Sequence, residues 1–203
     1  MNEKLSIITV CLNDSKNLEK TIENLKNQEY RFEYIIVDGG SVDHAEKIFT
    51  QNKEIIDHLI IEEDKGIYDA MNKGISIASG EWILFLNAGD LLENDQVLKS
   101  IFSRDDQHKD IDIIFGDTMV MKNNKEIRLI KAGNLENLYY GMQFSHQSML
   151  VRTSLQKLFL FNIDYKFGAD FDFIINAFIT RKNFFRYNGP IAKLELGGVS
   201  DIE

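Results

Sequence analysis

Phe32-Glu33-Tyr34-Ile35-Ile36-Val37-Asp38-Gly39-Gly40-Ser41 is an apolar run that stops in an acid, two glycines and a serine. Short, β-branched and aromatic over Phe32 to Val37, it reads as a strand covered on both faces of a parallel sheet. The glycines free the backbone to take positive φ and to come close to a ligand, and a helix starting just beyond offers an N-terminus that favours negative charge.

The same unit recurs outward in both directions. Leu5 to Val10 leads through Thr9 to Asn13-Asp14, Ile55 to Ile61 leads into Glu62-Glu63-Asp64-Lys65-Gly66, and Trp82 to Leu86 leads into Asn87-Ala88-Gly89-Asp90. Helical stripes lie between them. Leu18, Ile22 and Leu25 recur at i, i+4 and i+7 behind Ser15 as an N-cap; Ala45, Ile48 and Phe49 follow Ser41 or Asp43; Ile67, Ala70, Met71 and Ile75 end before Gly80. Strand and helix alternating in this way predict an open α/β sheet with helices on both faces and its ligand at the carboxyl ends of the strands. An acid or glycine after one strand is also ordinary turn chemistry. Four such ends converging on one rim are a stronger signal than any one of them.

The second half is less regular. Ile111 to Phe115, Thr118 to Met121 and Glu126 to Ile130 read as strands, the last two joined by a turn through Asn123 and Asn124. Ser148 to Val151 and Phe184 to Tyr187 read as further strands, Phe171 to Ile179 as a mostly buried helix, and a C-terminal piece carries Gly197 and Gly198. No repeat or proline-rich linker interrupts the chain, whose one proline is Pro190. The 203 residues are therefore read as a single domain, 1–203, whose halves (about 1–100 and about 101–203) do different work.

Composition narrows the function. A formal charge of −9 lacks the basic footprint of a DNA or RNA binder. Cys11, the only cysteine, excludes an internal disulfide and a cysteine-rich zinc site and suits a reducing compartment. The N-terminal run reads as a strand rather than a signal peptide, and no apolar run approaches the roughly 18 to 20 residues of a membrane span. A cytoplasmic protein is expected, any membrane contact being peripheral, at the inner face. The chain also lacks the three spaced glycines of a dinucleotide fingerprint and the Lys-Ser/Thr pair of a P-loop, which weakens hydride transfer and ATP-dependent phosphoryl transfer.

Six segments together resemble the family 2 glycosyltransferases of the GT-A fold over nearly the whole chain. They are Ile8 to Asp14, Val37 to Asp43, Asp64 to Gly74 before Gly80-Glu81-Trp82, Phe85 to Asp90, His146-Gln147-Ser148 and Gly168-Ala169-Asp170. The resemblance implies a Rossmann-like, open, mixed but mostly parallel sheet. It further implies an inverting transfer of a sugar from a nucleotide-diphosphate sugar to a hydroxyl acceptor, in surface polysaccharide or lipid-linked glycan assembly. By the same resemblance the first half binds the nucleotide sugar, through Thr9, Asn13 and Asp38 at base and ribose and Lys65, Gly66, Asn72 and Asn87 nearer the diphosphate.

The strand-four cluster stands where the family has an Asp-x-Asp motif, with carboxylates for ribose and for a divalent metal, Mg²⁺ or Mn²⁺. Asn87 and Gly89 replace its acids, leaving Asp90, one residue on, as the expected metal ligand, with His146 as a second. Asp170 stands where the family keeps its catalytic carboxylate, the base that takes the acceptor proton. It equally suits a helix N-cap, with Asp172 as a rival on another face, and His146 equally suits a purely structural hydrogen bond. Tyr139, Tyr140 and Phe144 fit an acceptor wall or a packed core. Two other functions fit the fold: a sugar nucleotidyltransferase, whose glycine-rich, arginine-containing first loop is missing here, and a catalytically silent binding module, which the altered Asp-x-Asp region favours.

Overall fold

The computed structural model describes residues 4–103, 108–123 and 125–195. At its centre four strands run parallel in the order β3 (His58–Ile61), β2 (Glu33–Asp38), β1 (Leu5–Cys11), β4 (Trp82–Phe85). The sheet continues through β8 (Met149–Arg152), β6 (Ile113–Lys122), β9 (Phe184–Glu195) and β5 (Leu91–Leu92), with β7 (Lys125–Ile130) paired to β6. Strands β8, β5 and β7 are antiparallel to their neighbours; the other six of the nine described run one way, so the sheet is mixed but mostly parallel.

Alternation along β1 sorts its side chains between two cores. Ile8 and Val10 join Ile35 and Val37 under α3 (Ile67–Ile77) and α6 (Ala169–Ile179). Leu5, Ile7 and Cys11 join Tyr34 and Ile36 under α1 (Ser15–Lys26), α2 (Ala45–Gln51) and α4 (Val97–Phe102). Covering both faces is what an uninterrupted apolar strand requires.

The register sets the strand ends side by side. Cys11 pairs with Asp38 and Asp38 with Ile61, so three polar termini finish level on one edge. Strand β4 ends lower, and its path continues upward as Leu86 N–H donates to Ile8 O and Ala88 N–H to Val10 O, which carries Asn87 to Asp90 to the same edge.

Several expectations change. β3 is an exposed edge strand, not one covered on both faces: Leu59 is 40% and Ile61 53% exposed. Ile111 to Phe115 and Thr118 to Met121 form one strand, β6, running through Gly116; Phe184 to Tyr187 extends through Gly189 and Pro190 into the twelve residues of β9. The two apparent breaks face one another across a bulge, because Asp117 pairs with Pro190 and a Cβ at Gly116 would lie 2.8 Å from Gly189 O. Asn124, Gly197 and Gly198 lie outside the described residues. Strand β5, helices α4 and α5 (Thr153–Leu158), and 3₁₀ turns at Leu135–Tyr140 and His146–Ser148 carried no sequence expectation.

The caps differ too. Asp14 precedes α1, and Ser15, its first residue, gives its N–H to Asp43 Oδ2 at 2.8 Å. His44, left-handed at φ 72°, precedes α2, leaving Ser41 and Asp43 to brace the β1 loop.

Candidate active site

The ends of β1 and β2 hold each other. Asn13, left-handed at φ 52°, donates its N–H to Ser41 Oγ (2.7 Å) and accepts from Val42 N–H on Oδ1 (2.9 Å). Asp38 is almost fully buried, and both its oxygens are engaged by Ser41, one by the backbone N–H at 2.9 Å and the other by the hydroxyl. Its carboxylate shapes the Gly39-Gly40 turn and does not stand open in the cleft. Thr9 is not brought to the rim at all. It lies on the Leu5-Ile7-Cys11 face of β1, fully buried, with Oγ1 accepting from the hydroxyl of Tyr34 at 3.1 Å.

Asn87 to Asp90 folds into a tight turn that closes on itself. Asp90 N–H donates to Asn87 O, and Asn87 N–H to Asp90 Oδ2, both at 2.9 Å. Gly89 at φ 97° makes the reversal possible, and Thr21 of α1 staples it by accepting from Gly89 N–H and donating to Asp90 O. Asp90 is thereby turned toward the 3₁₀ segment His146–Ser148. Loss of hydration pushes its carboxyl up to about 6, against the pull of the His146 charge, the Asn87 N–H and a bond from Gln147.

Asp170 sits on the second residue of α6, after the left-handed cap Gly168, so it is not the N-cap. Its Oδ2 lies 2.9 Å from His146 Nδ1, and its Oδ1 accepts from the Tyr68 hydroxyl at 3.0 Å. Burial alone would raise its pKa, but the His146 bond and charge, Tyr68 and the Phe171 N–H outweigh it and hold the carboxyl at about 2. These bonds go to Asp170 and not to its rival Asp172. An ionised carboxylate only accepts, so His146 Nδ1 is the donor, which leaves Nε2 as the ring's other nitrogen. That atom is buried without a partner, as is Asn87 Oδ1.

Asp90 and Asp170, 80 positions apart, thus both face His146-Gln147, with pKa values pushed in opposite directions. Asp38 joins them only along the rim. A Cβ at Gly39 would strike the Asp64 carboxylate; Asp64 accepts from Gly66 N–H; and Tyr68, two residues on, reaches Asp170.

The Lys65-Gly66 turn, with Lys65 N–H on Asp69 Oδ2, borders a cavity of about 190 Å³ whose opposite wall is Ile163 to Lys166. Asn72 is not part of it. Its side chain spans to the backbone of Phe161, donating to the carbonyl (2.8 Å) and accepting from the N–H (3.0 Å). Asn72 clamps the 159–168 loop to α3, with both polar atoms of its amide engaged there. Of the aromatics, Phe144 stacks on Phe115 in the core (4.4 Å), whereas Tyr139 and Tyr140 stand 93% and 87% exposed. Tyr68, Gln147 and Thr21 are the contributors that sequence reasoning missed. Tyr68 and Gln147 both lie inside motif segments, and only their neighbours had been given roles.

A family model described as "Glycosyl transferase family 2" matches residues 6–173. The chain belongs to glycosyltransferase family 2. As a glycosyltransferase it is 32% identical over 205 residues to a "PGL/p-HBAD biosynthesis glycosyltransferase" of Mycobacterium bovis, covering 97% of this chain and 78% of that one. In fold it is similar to S. aureus TarS 1–349 in complex with UDP-GlcNAc, with TM-score 0.78, 19% identity and 96% of this chain covered. A mannosyltransferase from Pyrobaculum calidifontis in complex with GDP-Man and Mn²⁺ superposes at TM-score 0.73, with 15% identity over 98% of this chain. The chain spans 59% of the length of each of these two structures. These neighbours give the sheet its name, the GT-A fold. Among the described residues no helix is long and apolar enough to cross a membrane, and no group of three or more His, Cys, Asp or Glu side chains is arranged to hold a metal.

Proposed function

We propose that this glycosyltransferase, acting as a single domain, moves one sugar from a nucleotide-diphosphate donor to a hydroxyl of a glycan or lipid-linked glycan acceptor, with inversion at the anomeric carbon. The observation that carries the reading is the meeting of Asp90 and Asp170 across His146. Asp170, ionised and fixed by two donors, takes the proton of the acceptor hydroxyl as that oxygen attacks the sugar from the face opposite the diphosphate. Tyr68 and His146 keep the accepting oxygens oriented.

The residues present fit a divalent cation. His146 has the arrangement of a metal-ligating imidazole, with one ring N–H on a carboxylate and the other nitrogen free, and Asn87 Oδ1 is a second unpartnered atom, on the residue whose backbone N–H binds the Asp90 carboxylate. Asp90 and His146, assisted by Asn87, would hold Mg²⁺ or Mn²⁺. When bound, the cation supplies the positive charge that a departing diphosphate requires. Base and ribose are read against Asn13-Asp14 and Gly39 to Ser41, where Asp38 acts through the loop it braces; Lys65 and Gly66 border the cleft, and Thr9 and Asn72 drop out of the donor set.

The Mn²⁺ and UDP complexes of proteins with the same fold support the reading, as does the name of the mycobacterial relative. Incubating the chain with UDP-, GDP- and dTDP-sugars and, separately, with nucleoside triphosphates plus sugar phosphates, each with and without Mn²⁺, while following nucleoside diphosphate and pyrophosphate, tests it. Nucleoside diphosphate release that Mn²⁺ enhances is expected. Pyrophosphate release from a nucleoside triphosphate and a sugar phosphate would instead make it a nucleotidyltransferase, and binding without turnover a silent module.

A further inference from the structure

The cavity beside Tyr68 has a lining that a diphosphate does not explain. Lys65 and Asp69 stand on one wall and Asp164 and Lys166 on the other, so the formal charges of the lining cancel and favour a neutral occupant. Its mouth is apolar. Ile67 is 42% exposed, Ile163 42%, Tyr165 44% and, next along the loop, Phe167 51%. Three large apolar side chains half in water around one small opening, with Phe167 exposed next to Lys166 in the chain, mark a ligand surface more than a packing accident.

The position says which ligand. Tyr68, part of the lining, donates to Asp170 at 3.0 Å and accepts from Gly168 N–H at 2.9 Å, so the cavity lies one side chain from the base. The far wall is held in place by the Asn72 clamp on Phe161. At about 190 Å³ it has room for a ring or part of a chain, below the roughly 300 Å³ at which pockets enclose a whole drug-sized ligand.

We infer that this cavity and its apolar mouth receive the acceptor, and that the acceptor is an uncharged amphipathic glycoside whose apolar aglycone lies on Ile67, Ile163, Tyr165 and Phe167. The inference rests on the transfer chemistry proposed above and narrows its acceptor: a polysaccharide with no apolar group would leave these side chains wet. The aglycone makes no contact with the reacting atoms; it holds the glycoside so that a sugar hydroxyl reaches Asp170.

Calorimetric titration of the full chain, in the presence of UDP and Mn²⁺, with octyl and methyl glycosides of the common hexoses, tests this, the octyl compounds being kept below their micelle concentrations. At least one octyl glycoside should bind tighter than its methyl counterpart by about tenfold, the scale set by covering a few half-exposed apolar faces. The Tyr165→Ser/Phe167→Ser variant should erase that gap while leaving UDP affinity and melting temperature unchanged; Ile163→Thr should narrow it should the double variant fold poorly. Equal binding of the pairs by the unaltered chain, or a gap that survives in both variants, overturns the inference. So does loss of binding to phosphatidylglycerol vesicles in the variants with no discrimination among glycosides, which would make the surface a membrane contact. Nucleoside diphosphate release from the sugar nucleotides in the presence of the glycosides reads the transfer itself, so its absence beside an intact octyl gap sinks the transfer chemistry alone, and its presence without a gap sinks the acceptor assignment alone.

Discussion

His146 is the residue through which the site is assembled. Its Nδ1 serves Asp170, and its Nε2 is buried without a partner. Replacing either His146 by Ala or Asp90 by Asn should raise the Mn²⁺ concentration needed to stabilise the UDP complex by about tenfold or more, the scale of losing a metal ligand or its support. A thermal titration with Mn²⁺ reads this directly; unchanged midpoints in both variants would remove the metal from these residues. Asp90 and Asp170 were legible as candidates because each ends a motif. That His146 joins them was not, since a hydrogen bond between positions 24 apart in sequence leaves no local periodicity. Thr9 and Asp38 illustrate the converse. Their polar side chains at a strand end suggested a ligand, but the pairing of Thr9 with Tyr34 and of Asp38 with Ser41 consumes that polarity internally.

At the scale of elements, strand ends were readable because an apolar run followed by glycine and acid has few other meanings, whereas the length of β6 and β9 was hidden by Gly116, Gly189 and Pro190. A glycine inside a strand can mark a break or a bulge, and only the facing strand decides which. Glu33 shows how an element end is secured. It is 5% exposed and accepts from the Ser6 hydroxyl and, at 2.8 Å each, from the Ser79 N–H and hydroxyl, tying the start of β2 to the turn between α3 and β4. Burial would raise its pKa, but these bonds and His58 outweigh it and leave the carboxyl below its ordinary value. A carboxyl depressed in the folded state stabilises above its unfolded pKa, near ~4.3, and that contribution is lost as pH falls through this value toward the lower folded one. Glu33→Gln should therefore cost about 2 kcal/mol at pH 7 and less at pH 3, as measured by urea denaturation at both pH values. An equal cost at both would show that the anion's bonds contribute nothing.

For the whole molecule, each hydrophobic cluster takes residues from both halves of the chain: Ile8 and Val37 with Phe115 and Phe173 on one face, Ile7 and Tyr34 with Ile114 and Ile191 on the other. The two halves of the chain therefore share both cores. Unfolding in urea should follow one transition, superimposable by tryptophan fluorescence, which reports the buried Trp82, and by far-ultraviolet dichroism. Two separated transitions would mean that the halves fold apart.

The transfer centre itself is tested most directly by comparing the unaltered chain with Asp170→Asn for UDP affinity by calorimetry and for nucleoside diphosphate release from whichever sugar nucleotide proves to be the donor. Near-equal UDP affinity with release slowed by about 10²- to 10⁴-fold, the loss characteristic of a general base, is expected. Release at the unaltered rate would contradict the assignment of Asp170 and with it the site built around His146.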